Sequence, residues 1–216
     1  MGLLFDFFQA FLFEIIFCVI FAGGFFTLYI NKIRNSINKK AVGISHIYTR
    51  GKDIKNFQKA IENASNICII SFVPYSLIFD NRVLFTKKIK EGCRIKILMG
   101  DKDSALLKDL SQIEYENDTD IADKVDLLIR LLDKIQKDAG PEATGVFEVK
   151  QYSTEIRNPV TICFSENNIS AFLTISLPPK RSIDATMIEY KGEECNDVVN
   201  YFNAIWNKYD NIDITS

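Results

Sequence analysis

One apolar run near the N-terminus, residues 7–30, constrains this chain more than any other feature, because it offers a helix of bilayer length ahead of everything else. Nine of the seventeen phenylalanines fall within the first 26 residues, and between Ala10 and Ile30 only Glu14 carries a charge. About twenty apolar residues rising ~1.5 Å each cover the ~30 Å hydrocarbon layer, and a helix satisfies its own backbone polar groups there. A cleaved secretory signal would begin with Lys or Arg and end in small residues. Here the basic residues follow the run, at Lys32, Arg34, Lys39 and Lys40. That asymmetry predicts a retained single-pass anchor in an inner or plasma membrane, with the C-terminal domain cytoplasmic. The first six residues lack the Ser or Thr of a myristoylation signal.

Glu14 lies about one turn inside the run, and a carboxylate in hydrocarbon is costly enough to be a functional candidate. Its place near an end favours the plainer reading, that it snorkels to the outer interface. Glu14 and the cations Lys32, Arg34, Lys39 and Lys40 are the expected membrane contacts, each cation worth about 1 kcal/mol beside anionic headgroups. Ala22, Gly23 and Gly24 allow close helix packing, but no small-xxx-small repeat runs along the span.

Residues 1–40 hold four basic and two acidic side chains, so of the formal charge of −2 the remainder carries −4. Nucleic-acid binding normally rests on a basic excess that releases phosphate counterions, so the balance predicts no nucleic-acid partner. Cys18, Cys68, Cys93, Cys163 and Cys195 are dispersed without a C-x-x-C, which reads as thiols rather than a disulfide framework or a zinc site. No metal and no cofactor are expected. The sequons at Asn63, Asn117 and Asn168 carry no meaning in a cytoplasmic domain.

The chain divides into an anchor (1–31), a basic linker (32–41) and one domain (42–216). A short strand over 43–50 precedes a helix from Asp53, whose Ile54, Phe57, Ile61 and Ala64 recur at helical spacing. Two near-continuous apolar runs, 67–72 and 93–99, read as strands buried on both faces, with a helix over 77–90 between them. Helices follow near 105–113 and 120–137, the second with Ile121, Val125, Leu128, Leu132 and Ile135 at a/d-like spacing. Strands over 146–152, 160–165, 169–177 and 183–190 and a closing helix over 196–209 complete the pattern. Strands that alternate with helices, then meander, predict an α/β fold: a mixed sheet with helices on both faces.

The words Gly43-Ile44…Ile47-Tyr48-Thr49-Arg50, Ile67 to Phe72, Glu91-Gly92-Cys93-Arg94-Ile95-Lys96-Ile97-Leu98 and Phe202-Asn-Ala-Ile-Trp206, in this order, resemble one repeat of the phospholipase D-like fold. The resemblance implies a homodimer, and an H-x-K-x-x-x-x-D motif on the late hairpin whose His attacks phosphorus while Lys neutralises the phosphoryl oxygens. At that place the chain reads Pro159-Val-Thr161-Ile-Cys-Phe-Ser-Glu166, so Pro replaces His and Thr replaces Lys. The only histidine, His46, opens His46-Ile-Tyr48-Thr-Arg50-Gly-Lys-Asp53, which keeps the His-to-Asp spacing with Tyr in place of Lys. His46, Arg50 and Asp53 are therefore the sole catalytic candidates, although a lone His more often packs or hydrogen-bonds.

In open α/β sheets ligands gather beyond the carboxyl ends of the strands. The expected ligand residues are thus Arg50, Ser71, Tyr75, Ser76, Asp101, Lys102 and Ser104, set against their reading as ordinary turns and caps. The acidic cluster Asp118, Asp120, Asp123 and Asp126 reads as a helix start. The leading expectation is a membrane-anchored, degenerate, non-catalytic phospholipase D-like protein of bacterial type. It would act as a cytosolic sensor of an anionic small molecule, as a module for a protein partner, or as an effector on the lipid bilayer. The alternative is a phosphodiesterase or phospholipase working at the membrane surface through His46 in a homodimer.

Overall fold

A computed structural model describes residues 43–49, 54–104, 118–153, 158–175 and 186–214. The anchor with Glu14, the cations Lys32, Arg34, Lys39 and Lys40, the residues Arg50 and Asp53, and the helix expected near 105–113 lie outside the described residues. Among the described residues no helix is long and apolar enough to cross a membrane.

Alternating β-branched and apolar residues build an eight-stranded mixed sheet. In chain order its parts are β1 (Ile44–Thr49), α1 (Ile54–Asn63), β2 (Asn66–Ser71), α2 (Tyr75–Asp80), α3 (Arg82–Lys90), β3 (Arg94–Gly100), α4 (Asp118–Ala139), β4 (Val146–Tyr152), β5 (Val160–Ser165), β6 (Asn168–Ile175), β7 (Thr186–Lys191), a 3₁₀ turn (Gly192–Cys195), α5 (Asn196–Trp206) and β8 (Asn211–Ile212). The strands lie in the order β1-β7-β6-β5-β2-β3-β4-β8. β2, β3 and β4 run parallel, while the other pairs are antiparallel. This is the mixed α/β architecture expected from the sequence.

The two-residue period of a strand sends alternate side chains to opposite faces, so each parallel strand feeds two cores. Ile67, Ile69, Ile95, Ile97 and Val149 pack with Phe57 and Ile61 of α1, Phe85 and Ile89 of α3, and Val125, Leu128, Leu132 and Ile135 of α4. Cys68, Ile70, Leu98, Tyr152, Ile162 and Ala171 pack on the other face with Phe202 and Trp206 of α5. Among the described residues helices therefore cover both faces: α1, α2 through Ile78, α3 and α4 pack into the first core, and α5 into the second.

Several boundaries differ from the sequence expectation. The helix expected over 77–90 is two helices, because Asn81 leaves helical geometry at φ −109° and ψ 19°. Its side-chain Nδ2 donates to Leu77 O at 2.9 Å, and its backbone N–H donates to Phe79 O, closing α2 just before α3 begins. The strand expected over 169–177 is described to Ile175, and α5 ends at Trp206 rather than at residue 209. The two-residue β8, which pairs Ile212 with Val149, carries no periodicity a sequence could show.

Candidate functional site

Two strand ends carry most of the expected ligand residues. Ser71 closes β2, Tyr75 and Ser76 open α2, and Asp101 to Ser104 follow β3. The 101–104 turn satisfies itself: Asp101 Oδ1 accepts from the Asp103 N–H at 3.0 Å, and the Ser104 hydroxyl donates to Asp101 O at 2.7 Å. Lys102 Nζ sits 2.9 Å from Asp126 Oδ1 and 3.1 Å from Oδ2. Those bonds, with the charge of Asp126, hold the Lys102 ammonium above the usual lysine range. The cation expected to meet an anion here is already paired within the chain. Tyr75 stacks on Phe79 and packs against the core.

His46 stands elsewhere. β7, β6, β5 and β2 separate β1 from β3, and at ~4.8 Å per strand that sets the two strands roughly 24 Å apart across the sheet. His46 and these strand ends thus lie on strands that are not neighbours in the sheet. On its edge strand the His46 ring lies 4.4 Å from that of Tyr48, and its ladder partner is Glu189. Glu189 is 3% exposed; it accepts from the Tyr48 hydroxyl, and Lys191 Nζ lies 3.1 Å from its Oε1. At the late hairpin Thr161 is buried in β5, and the carbonyl of Pro159 accepts from the Thr174 N–H.

Cys68, Cys93, Cys163 and Cys195 are free and buried. Burial pushes the Cys68 thiol up to about 12 and those of Cys93 and Cys195 up to about 11. Cys163 moves in the same direction for the same reason. Such thiols are poor nucleophiles and poor metal ligands.

A polar hollow of about 480 Å³, which no motif announced, lies at the opposite end of β2 and β3, lined among others by Ser65, Lys88, Glu91, Glu166 and Asn167. Lys88 is 5% exposed, and its ammonium donates to Glu62 O at 2.9 Å and to Glu91 Oε2 at 2.8 Å. The bond from Lys88 holds the Glu91 carboxyl below the usual carboxylate range.

Beside this hollow lies a cationic surface. α1 is joined to α3 by the Lys88 bond to Glu62, and to the residue just before α3 by Gln58 Nε2, which donates to Asn81 Oδ1 at 3.4 Å. Lys55 and Lys59 of α1 and Arg82, Lys87 and Lys90 of α3 are all exposed. Residues 54–91 hold six basic and three acidic side chains, against fourteen basic and twenty-two acidic in 92–216. A net charge summed over the domain hides this segregation, although the local count was legible in the sequence.

No protein-family model and no curated protein matches the chain. Among solved structures it is similar to TrmBL2, described as an archaeal chromatin protein with a novel mode of DNA binding, at 13% identity and a TM-score of 0.47. The match covers 86% of this chain and 64% of that one. The expected function, a membrane-anchored, non-catalytic sensor, partner module or bilayer effector with a surface phosphodiesterase as its alternative, is corrected: the solved structure found is described as a DNA-binding chromatin protein. The exclusion of nucleic acid is withdrawn with it. A likeness this distant assigns no activity to the present chain, so its function is argued from its own surface.

Proposed function

We propose that the domain is a nucleic-acid-binding module that holds a phosphate backbone on the cationic face of α1 and α3. The observation that carries this reading is the gathering of Lys55, Lys59, Arg82, Lys87 and Lys90, all exposed, on two adjacent helices of an otherwise acidic domain. Lys55 and Lys59 stand one helical turn apart, about 6 Å along the axis, and Arg82 and Lys90 about 12 Å apart. Two cationic rows of that length suit a phosphate chain. Within the patch Glu91 is engaged by Lys88 and by Lys87 at 3.7 Å, which blunts its repulsion of an anion. The acidic remainder of the domain repels phosphate and orients the encounter toward this face.

Binding by counterion release makes log K fall linearly with log salt, with a slope set by the number of phosphates neutralised. With about four phosphates neutralised, log K should fall with log salt at a slope near −3.6 for duplex DNA. Fluorescence polarisation with a labelled duplex between 50 and 200 mM salt measures it, and a Lys55→Gln, Lys59→Gln, Lys87→Gln variant should flatten the slope by about 2 to 3. Binding that ignores salt, or a slope the variant leaves unchanged, rejects the reading.

The finer fold assignment, one phospholipase D-like repeat behind an apolar anchor, is supported by the sequence words between Gly43 and Trp206 and by the hydropathy of residues 7–30. The chain's location is a separate proposal that cell fractionation tests.

A further inference from the structure

We infer that the strand held on this face is single, and that an unpaired base stacks on Phe79; the inference rests on the nucleic-acid reading above and narrows its ligand. Phe79 is an aromatic ring left 43% exposed on α2, with Arg82 of α3 against it, and Val83, one turn further along the chain, is 76% exposed. The inner face of Phe79 stacks on Tyr75, with ring centroids 5.6 Å apart and planes 17° from parallel. Tyr75 in turn packs against the core, so the column is anchored from below. Above Phe79 lies the guanidinium of Arg82, its carbon 5.1 Å from the ring centroid, with Nη1 donating to Phe79 O at 3.3 Å.

This column has the parts of a stacking platform: a fixed aromatic ring, an apolar flank at Val83 and a movable cation on top. An exposed cation–π contact is weaker than a base stacked on an aromatic ring. A guanidinium also makes its strongest bonds to phosphate oxygens. When a strand arrives, Arg82 leaves the ring for a phosphate and a base takes its place on Phe79. A duplex cannot supply that base, because its π-faces are occupied within the stack, whereas a single strand presents one per nucleotide. Lys87 and Lys90 carry the adjoining phosphates, and Lys55 and Lys59 carry those that cross to α1. The contact reads no sequence, since every base has a π-face.

The test is polarisation with the full-length chain and three labelled probes of matched length at one salt concentration: single-stranded DNA, single-stranded RNA and duplex DNA. Single strands should bind about tenfold tighter than duplex, and the better of the two single-stranded probes names the source. Phe79→Ala should lower single-strand affinity about tenfold while leaving duplex binding unchanged, both measured at a temperature where the variant is fully folded. Phe79→Trp should keep the preference, with emission beyond that of Trp206 quenched by single strands but not by duplex. Equal affinity of the native chain for single and double strands, or equal weakening of both by Phe79→Ala, overturns the inference and leaves the nucleic-acid reading standing. Failure of all three probes to bind overturns that reading itself.

Discussion

Four thiols sit where apolar neighbours penalise the thiolate, and that environment decides their chemistry. With Cys68 pushed up to about 12 and Cys93 and Cys195 to about 11, the reactive form is scarce at pH 8. Peptide mapping after iodoacetamide at pH 8 should find all four described cysteines unmodified in the native protein and modified in 6 M urea. Rapid native labelling at Cys68 or Cys163 would contradict their burial. The Lys88–Glu91 pair gives a second expectation. Because Lys88 holds the folded-state Glu91 carboxyl below its usual 4.5, the pair adds stability above that value and loses it as pH falls through the depressed one. Lys88→Met should flatten this acid limb in urea unfolding followed from pH 3 to 7. An unchanged limb would show that the pair contributes nothing.

Elements are positioned by a few close approaches that tolerate no added atom. Gly145 leads into β4, and a Cβ there would lie 2.5 Å from Ile89 O and 2.6 Å from Cys93 O. Both obstacles are backbone, so neither can rotate aside. Its N–H donates to Ile89 O at 3.0 Å and its carbonyl accepts from Gln136 Nε2 at 3.1 Å, which ties α3, α4 and β4 together. Gly145→Ala should therefore destabilise by about 2–3 kcal/mol, as overpacking of a rigid site does. Urea unfolding measures this, and a loss below about 0.5 kcal/mol would mean that the α3–β3 corner shifts freely. The a/d-like positions of α4 show the opposite case, elements that the chain specifies locally. Ile121, Val125, Leu128, Leu132 and Ile135 are all at most 2% exposed. Leu128→Ala should cost about 2–5 kcal/mol by the same measurement.

Across the molecule, two cores share the strands β2, β3 and β4 as a common wall. Loss of either core removes support from the other, so urea unfolding should be one transition, with the emission of Trp206 and the far-ultraviolet signal changing together. Two separated transitions would show that the α5 face melts alone. Charge is divided on the same scale. The cations of 54–91 lie on α1 and α3, and most carboxylates follow in the chain. Glutamine substitutions at Lys55, Lys59 and Lys87 should thus alter anion binding while leaving stability within about 0.5 kcal/mol.

Much of this was legible from residues alone, for a physical reason: strand and helix periods are local properties. β2, β3, β4, β5 and α4 lie within a few residues of where alternation and a/d spacing put them. The local excess of cations between residues 54 and 91 was equally countable. Which strands become neighbours is a different matter, since it depends on hydrogen-bond ladders between segments far apart in the chain. Only folding set four strands between His46 and Asp101, paired Lys102 with Asp126, and stacked Tyr75, Phe79 and Arg82 into one column. Composition and spacing chose the elements because each residue's burial preference is its own. The site emerged from contacts, which belong to pairs.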